Sequence, residues 1–268
     1  KIALGQIDSG IACGTDATSD APIGVSEGLR KILLELNRAK TTQDRLKLIG
    51  KIRPKHLMPL IPANSEPRTG LAMGDHCQIT AKEWNIPRDQ QDELAFNSHK
   101  NMAKAYEEGF FDDMLTPFMG LERDNNMRGD TSLEKLASLK PCFDKENGTM
   151  TAANSTPLTD GASSVLLASE EWAKERGLPV LAYITFCETA AIDFVGKKEG
   201  LLIAPAYAVP RMLDRAGIKL QDFDFYEIHE AFAAQVLYTL KAWEDEKFCK
   251  ERLGRDGILG SIDRSKLN

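Results

Sequence analysis

The stretch "YEIHEAFAAQ", residues 226–235, decides the fold because two local patterns meet in it. Upstream, "FDFYEI" (223–228) alternates aromatic and acidic residues, which predicts a half-buried strand. Downstream, "EAFAAQVLYTLKAW" (230–243) carries apolar residues at helical spacing. His229 and Glu230 therefore lie at a predicted strand-to-helix junction, and in α/β folds ligands bind at such carboxyl ends of strands.

The sequence on either side extends this alternation. We predict a strand at "SSVLLA" (163–168), a helix at "EEWAKERG" (170–177), a strand at "LPVLAYITFCE" (178–188) and a helix at "APAYAVPRMLDRAG" (204–217). Alternating strands and helices indicate an α/β fold. Nearer the start of the chain, the pattern predicts two helices that are separated at Pro87, because proline interrupts a helix.

Composition excludes several classes of protein. The 268 residues are 42% hydrophobic, which is enough for a packed core, and they contain no run of 18 apolar residues. The net charge of -6 argues against nucleic acid as a partner. The five cysteines form no CxxC pair, which predicts reduced thiols in the bacterial cytoplasm or a matrix-like compartment rather than disulfides or a zinc site.

Residues 28–56 are basic within this acidic chain. Nine Lys or Arg residues stand there against two acids, a local net charge of +7. The apolar residues of the segment suit two amphipathic helices. We expect either a solvated basic cover, a peripheral contact with anionic lipid head groups, or a docking surface for a partner subunit.

The pair His229–Glu230 invites comparison with the H-E-x-x-H zinc motif, but residue 233 is Ala, so a zinc peptidase is excluded. A surface His beside a capping Glu remains an alternative to a role in a site. The loop "GTMTAANSTPLTDGASS" (148–164) is rich in small and hydroxyl residues, which let a ligand approach the backbone closely.

The other candidate side chains fit structural roles better. Cys13 lies in an apolar run with no His nearby, and buried cysteines are usually inert. His56, His76 and His99 have no partner residues at a spacing typical of a catalytic or metal site, so surface or packing roles fit each of them.

Several of these stretches resemble one known family. "HEAFAAQ" (229–235) resembles the (Asn/His)-Glu-Ala-Phe box of thiolases, and "GTMTAANSTPLTDGAS" (148–163) resembles their loop against the pantetheine of coenzyme A. "PRDQQDELAFNSHKNMAKA" (87–105) and "MRGDTSLEKLASLKPCF" (127–143) are similar to stretches of the thiolase loop domain. The basic segment, extended to residue 63, resembles the β-subunit of the trifunctional complex of fatty-acid β-oxidation.

The resemblance implies a role for His229 near the reacting atoms. His229 matches a position that holds a water against the substrate thioester oxygen, as part of an oxyanion hole. Many relatives carry Asn there, and imidazole and amide each donate one hydrogen bond, so the role survives the exchange. Phe232 matches the aromatic residue beside the reacting acyl group.

The resemblance also implies contacts with coenzyme A, which would be a substrate rather than a permanently bound cofactor. Asn154 and Thr156 belong to the pantetheine loop, where Thr156 replaces a Ser of relatives and its methyl group narrows the slot. Arg128 and Phe143 match positions that line the adenine end, and Met73 matches one beside the pantetheine. No metal is implied.

The implied fold is the layered αβαβα architecture of thiolases, incomplete, with an inserted and mostly helical loop domain. We expect residues 1–25 and 151–169 in the N-terminal core domain, 26–150 in the loop domain, and 170–268 in the first part of the C-terminal core domain. Partners implied are acyl-CoA, a second copy in a homodimer or higher oligomer, and a β-oxidation α-subunit, in the bacterial cytoplasm or the mitochondrial matrix.

The sequence departs from the thiolase pattern in its reactive groups. The short motif of the nucleophilic Cys, the "GHP" motif of the activating His and the "C-x-G" motif of the second catalytic Cys do not occur in these 268 residues. We therefore expect these residues alone to be inactive, within a parent that cleaves 3-ketoacyl-CoA or runs the reverse condensation. A non-catalytic acyl-CoA-binding or scaffold protein is the alternative.

Overall fold

The structure is a computed structural model that describes residues 1–197 and 199–268. Its strands and α-helices within those residues are, in chain order, β1 (Ser9–Asp16), α1 (Glu27–Arg38), α2 (Thr42–Ile49), α3 (Met73–Glu83), α4 (Arg88–Glu107), α5 (Leu133–Ala137), β2 (Gly161–Ala168), α6 (Glu170–Glu175), α7 (Pro205–Ala216), α8 (Ala233–Glu244) and α9 (Glu246–Glu251). The chain divides into two compact units, which are Lys1–Asn64 with Leu158–Leu181 (unit 1) and Ser65–Pro157 with Ala182–Asn268 (unit 2).

Unit 1 contains an antiparallel ribbon made of β1 and β2, in which Ser9 lies opposite Ala168. Beyond the far end of the ribbon, the Asp160 carboxylate accepts hydrogen bonds from the backbone and the hydroxyl of Ser19. The strand predicted at 163–168 is confirmed. Most side chains of both strands are exposed.

The basic segment of unit 1 forms the two predicted helices, α1 and α2. Each helix begins at a hydroxyl cap, because the Ser26 and Thr41 side chains accept a backbone N–H from the first turn. The Ser26 hydroxyl also donates to the carbonyl oxygen of His56 at 2.7 Å, which ties the start of α1 to the turn that follows α2. Ile32 is the buried residue of α1.

Unit 2 is organised around α8. Ten of its twelve residues are buried, which is the pattern of a helix that is covered on every side. The apolar spacing at 230–243 predicted a helix here, and α8 confirms it. The Tyr238 hydroxyl lies 3.9 Å from the Cys77 sulfur of α3, and burial raises the pKa of the Cys77 thiol to about 12.

Local signals set the helix boundaries of unit 2. The predicted break at Pro87 is confirmed: α3 ends at Glu83, Asn85 takes a left-handed conformation at φ 50°, and α4 starts directly after the proline. The helix α7 begins with Pro205 and ends at Ala216, and the capping residue Gly217 has a φ of 67°, which suits glycine.

Two predicted strands are wrong as sheet elements. Residues 178–188 form no strand, and apolar side chains there are exposed, with Leu181 at 92%. The segment 223–228 makes only one bridge, between Tyr226 and Leu267, so His229 lies in a loop before α8. A strand needs a second backbone that offers hydrogen bonds, and local alternation of residues cannot supply one.

The predicted domain boundaries (1–25 with 151–169, 26–150, and 170–268) stay a prediction. In the described part of the chain, every helix is too short or too polar to cross a membrane.

Candidate functional site

Residues 148–157, the first part of the loop "GTMTAANSTPLTDGASS", lie beside the His-Glu-Ala-Phe segment in unit 2. The Thr156 N–H donates to the Ala231 carbonyl oxygen at 2.8 Å, and the Ala233 N–H donates to the Asn154 carbonyl oxygen at 3.0 Å. These bonds form an antiparallel bridge that places Phe232 directly opposite the loop. Two stretches about 75 residues apart in sequence thus form one surface.

The Asn154 side chain anchors this loop from inside. It is 2% exposed; its Oδ1 accepts the Thr151 N–H at 2.7 Å, and its Nδ2 donates to Asp92 Oδ1 at 2.8 Å. The other Asp92 oxygen accepts a hydrogen bond from Arg88 at 2.7 Å, one turn earlier on α4. The Asn154 amide is therefore bonded within the protein, whereas the Thr156 side chain, two residues later, is exposed.

Phe143 lies between the start of α3 and Phe232. Its ring meets the Phe232 ring edge to face, with 6.0 Å between centroids. The ring also covers Gly74 so closely that a Cβ there would lie 2.1 Å from Phe143 Cζ, which explains a glycine inside the first turn of α3. Met73 precedes that glycine and is 38% exposed. Phe143 and Phe232 therefore form an aromatic pair, the apolar edge of the site, and Met73 is the neighbour in sequence of the glycine that Phe143 covers.

His229 is exposed at the end of a clamped segment. The Ile228 N–H donates to Asn268 Oδ1 and the Asn268 amide donates back to the Ile228 carbonyl oxygen, both at 2.8 Å. The same amide donates to Glu230 at 2.8 Å, so the residues on both sides of His229 are held. Asn101 of α4 donates in turn to the Asn268 carbonyl oxygen at 3.2 Å.

Arg128 is exposed on a loop that runs along α4. Its guanidinium donates to the carbonyl oxygens of Asn125 and Met127, and its backbone N–H donates to His99 Nδ1 at 3.3 Å. Burial lowers the pKa of His99, with the positive Arg128 as a further cause, whereas Glu230 and Asp124 raise it. The direct contact of His99 with this loop is its bond to the Arg128 backbone.

A surface cavity of about 430 Å³ opens between the second half of α4 and the same loop. Its lining residues are Ala103, Tyr106, Glu107, Arg123, Met127 and Gly129. Among the residues described, there is no group of three or more His, Cys, Asp and Glu side chains that could hold a metal ion.

The structure thus brings Met73, Phe143, Phe232 and the loop of Asn154 and Thr156 together, with His229 three residues before Phe232. Arg128 is bonded to His99 of α4, the helix whose Asp92 also anchors Asn154. The roles assigned to these side chains stay predictions.

Supporting residues that the sequence did not indicate are Gly74, Asp92 and His99. For Gly74 the sequence offered one signal, a glycine at the second position of a helix, where a close neighbour can be expected. Asp92 and His99 read as ordinary residues of a polar helix, because each acts on a partner that lies far away in the sequence.

The fold and this surface define an α/β protein with a ligand site that is built from loops, and the comparisons with known proteins identify the family. Two family models match: "Thiolase, N-terminal domain" over residues 1–171 and "Thiolase, C-terminal domain" over residues 178–254. The 3-ketoacyl-CoA thiolase of Pectobacterium carotovorum subsp. carotovorum (strain PC1) is 45% identical over 274 aligned positions, which cover 100% of this chain and 62% of that relative. The chain belongs to the thiolase family.

Solved structures agree with this assignment. Human mitochondrial 3-ketoacyl-CoA thiolase in complex with CoA matches with a TM-score of 0.71 and 25% identity, over 99% of this chain and 59% of that chain. The dimeric peroxisomal thiolase of Saccharomyces cerevisiae matches with a TM-score of 0.66 and 29% identity, over 99% and 57%. The predicted α/β thiolase-like fold, present in part, is confirmed, and the chain spans 62% of the length of its Pectobacterium relative.

Proposed function

We propose that these residues form the coenzyme A-binding part of a thiolase that cleaves 3-ketoacyl-CoA in fatty-acid β-oxidation, or runs the reverse condensation. The observation that carries the proposal is the pairing of residues 154–156 with residues 231–233, which sets the exposed Thr156 beside Phe232. The family and the CoA complex of the human relative support coenzyme A as the substrate that lies there. Thr156 and Met73 would meet its pantetheine, and Phe143 and Arg128 its adenine end.

In this reaction a cysteine thiolate attacks the 3-keto carbon and the bond between C2 and C3 breaks. The acyl group stays on the cysteine as a thioester, and the other product leaves as the enolate of acetyl-CoA, which takes up a proton. The thiol of a second coenzyme A then displaces the acyl group and restores the cysteine. His229 would donate to a water that stabilises the enolate oxygen while it carries negative charge.

The test uses the intact protein with a 3-ketoacyl-CoA and coenzyme A. We expect His229→Ala to lower kcat by roughly 10²–10³, because one donor to the oxyanion is lost. His229→Asn should retain far more activity because the amide also donates. Equal damage from both variants would contradict the donor role. Coenzyme A binding without turnover or acylation of the intact protein would favour the alternative, a non-catalytic acyl-CoA-binding or scaffold protein.

A homodimer is the assembly that we propose, since the yeast relative is described as dimeric. The location that we propose is the bacterial cytoplasm or the mitochondrial matrix, with the basic segment as a peripheral contact to a membrane.

A second proposed function is a peripheral contact of the basic segment 28–56 with a membrane. The exposed apolar residues of the segment favour this function. Leu33 and Leu34 on α1, and Leu46 and Ile49 on α2, are 45–64% exposed, and the net charge of the segment is +7. Apolar residues among basic ones suit a helix that lies in an anionic lipid surface, where each basic side chain contributes about 1 kcal/mol. We propose this contact as a peripheral membrane site.

Co-sedimentation with anionic vesicles at low salt tests the membrane site. We expect binding that is lost at high salt and lost when Lys47, Lys51, Arg53 and Lys55 are changed to Glu. The matched control reverses four exposed lysines elsewhere, Lys104, Lys140, Lys145 and Lys250, and should retain more binding. Absence of sedimentation, with a β-oxidation α-subunit still bound, would replace the lipid contact with docking of that subunit.

A further inference from the structure

The loop that carries Arg128 is fastened to α4 at three points. The Asp124 N–H donates to the Tyr106 hydroxyl at 2.9 Å, the Arg128 N–H donates to His99 Nδ1 at 3.3 Å, and Lys100 Nζ donates to the Gly129 carbonyl oxygen at 2.6 Å. Of these three, the bond at His99 is the one made by Arg128 itself. His99 is also the one anchor that changes charge near neutral pH.

The position of the Arg128 guanidinium depends on the backbone of its own loop. It donates to the Asn125 carbonyl oxygen at 2.6 Å and to the Met127 carbonyl oxygen at 3.1 Å. Because both acceptors belong to the loop, a displacement of the loop moves the whole guanidinium. A planar group that recognises a phosphate or a purine ring tolerates little misplacement.

We propose that His99 is a positioning residue for coenzyme A binding: its neutral imidazole holds the backbone of Arg128, and protonation of the ring releases it. This inference rests on the proposed contact between Arg128 and coenzyme A. His99 does not touch the substrate in this scheme and acts through Arg128 alone.

The chemistry of the imidazole explains the release. A nitrogen that accepts a hydrogen bond has a free lone pair, and in the imidazolium ion both nitrogens carry protons. The protonated ring would therefore direct an N–H at the N–H of Arg128. The charged groups around the ring are Arg128, which opposes protonation, and Glu230 and Asp124, which favour it; burial also opposes it.

The direction of the pH effect follows from that balance. The pKa of His99 lies below the ordinary value of 6.5, so the neutral ring and its bond are fully present above that value. The hold on Arg128 is lost as the pH falls below 6.5 and through the lowered pKa. Coenzyme A should therefore bind more weakly in acid, and part of that weakening should belong to His99.

The test measures the Kd of coenzyme A by titration calorimetry on the intact protein between pH 5.5 and 8. At pH 8 we expect His99→Leu to weaken binding about three- to tenfold, which is the range for one lost hydrogen bond. His99→Asn should stay within about twofold, because its amide oxygen can accept the same N–H. The phosphates of coenzyme A titrate alike with every variant. If the affinity for coenzyme A falls more steeply with acid in wild type than in His99→Asn, the difference is due to protonation of the imidazole.

Two further variants separate this proposal from the proposed function. His56→Leu is the matched control, since His56 Nδ1 accepts the Arg53 N–H at 3.2 Å in unit 1, and it should leave the Kd unchanged. If Arg128→Ala weakens binding but His99→Leu does not, the positioning role is overturned and the coenzyme A site stands. If neither variant weakens binding, both are overturned. If the affinity for coenzyme A falls equally with acid in wild type and His99→Asn, the release of Arg128 by protonation of His99 is overturned.

Discussion

The contact between Gly74 and Phe143 allows a sharp test of the apolar edge of the site. In Gly74→Ala the new Cβ would lie 2.1 Å from Phe143 Cζ, whereas ordinary contact begins near 3.4 Å. The ring must therefore move by about 1.3 Å, or α3 must shift. Such a movement also disturbs the edge-to-face contact of Phe143 with Phe232.

We expect Gly74→Ala to lower the free energy of unfolding in the wild-type protein and to raise it in the Phe143→Ala variant. Overpacking costs about 1–3 kcal/mol and a lost aromatic contact about 0.5–1.5 kcal/mol, while replacing a helical glycine by alanine gains up to about 1 kcal/mol. In the wild-type background we expect Gly74→Ala to destabilise unit 2 by about 1–3 kcal/mol. In the background of Phe143→Ala the obstacle is gone, and the same substitution should stabilise by about 0.5–1 kcal/mol.

The assay is urea unfolding followed by the fluorescence of Trp84 and Trp243, both in unit 2. Gly50→Ala is the control, because its Cβ would meet its nearest atoms at 3.5 Å and its φ is -62°. It should change the stability by less than about 1 kcal/mol. If Gly74→Ala costs the same with and without the Phe143 ring, the two residues do not touch and the arrangement of the apolar edge is wrong.

Three other predictions follow from burial and from the missing motifs. Asn154→Ala should lower the free energy of unfolding by about 2–4 kcal/mol, because it leaves buried groups of Asp92 and Thr151 without their partner. The control Asn101→Ala, at an exposed residue, should lower it by less than about 1 kcal/mol. Similar losses in the two variants would refute the anchoring role of Asn154. A polypeptide of residues 1–268 should show no turnover with a 3-ketoacyl-CoA and coenzyme A, and any sustained turnover would contradict this. In the folded chain, iodoacetamide at pH 8 should modify the exposed Cys142 well before Cys77, whose pKa is raised by burial to about 12; comparable rates would contradict the packing of α3 on α8.

The helices could be predicted from the sequence because their signals are local. The spacing of apolar residues in α8, the break at Pro87 and the two helices of the basic segment need only neighbouring residues. The strand at 163–168 was predicted correctly, and its partner β1 lies in unit 1. The strands expected at 178–188 and 223–228 failed because alternation shows that a segment suits a sheet and says nothing about which backbone will pair with it.

Short motifs selected the candidate residues, whose roles stay predictions, but the sequence did not indicate the residues that hold them in place. The resemblance of short motifs selected Phe143, Phe232 and Thr156, and the structure places them near one another. The sequence could not indicate that Asn154 would be turned inward toward Asp92. A buried amide and an exposed amide read alike in a loop, since the difference lies in a carboxylate about 60 residues earlier.

The polar character of α4 also comes from contacts with residues that are distant in the sequence. Its buried residues are Gln91, Asp92 and Ala95, so its inner face is largely hydrogen-bonding rather than apolar. A pattern of this kind normally indicates a solvent-facing helix. Here Asp92 accepts a hydrogen bond from the Asn154 side chain, whose oxygen accepts the Thr151 backbone N–H, and His99 accepts the backbone N–H of Arg128. A helix that holds loops needs donors and acceptors more than apolar surface, because loop backbone that is buried without partners would be unstable.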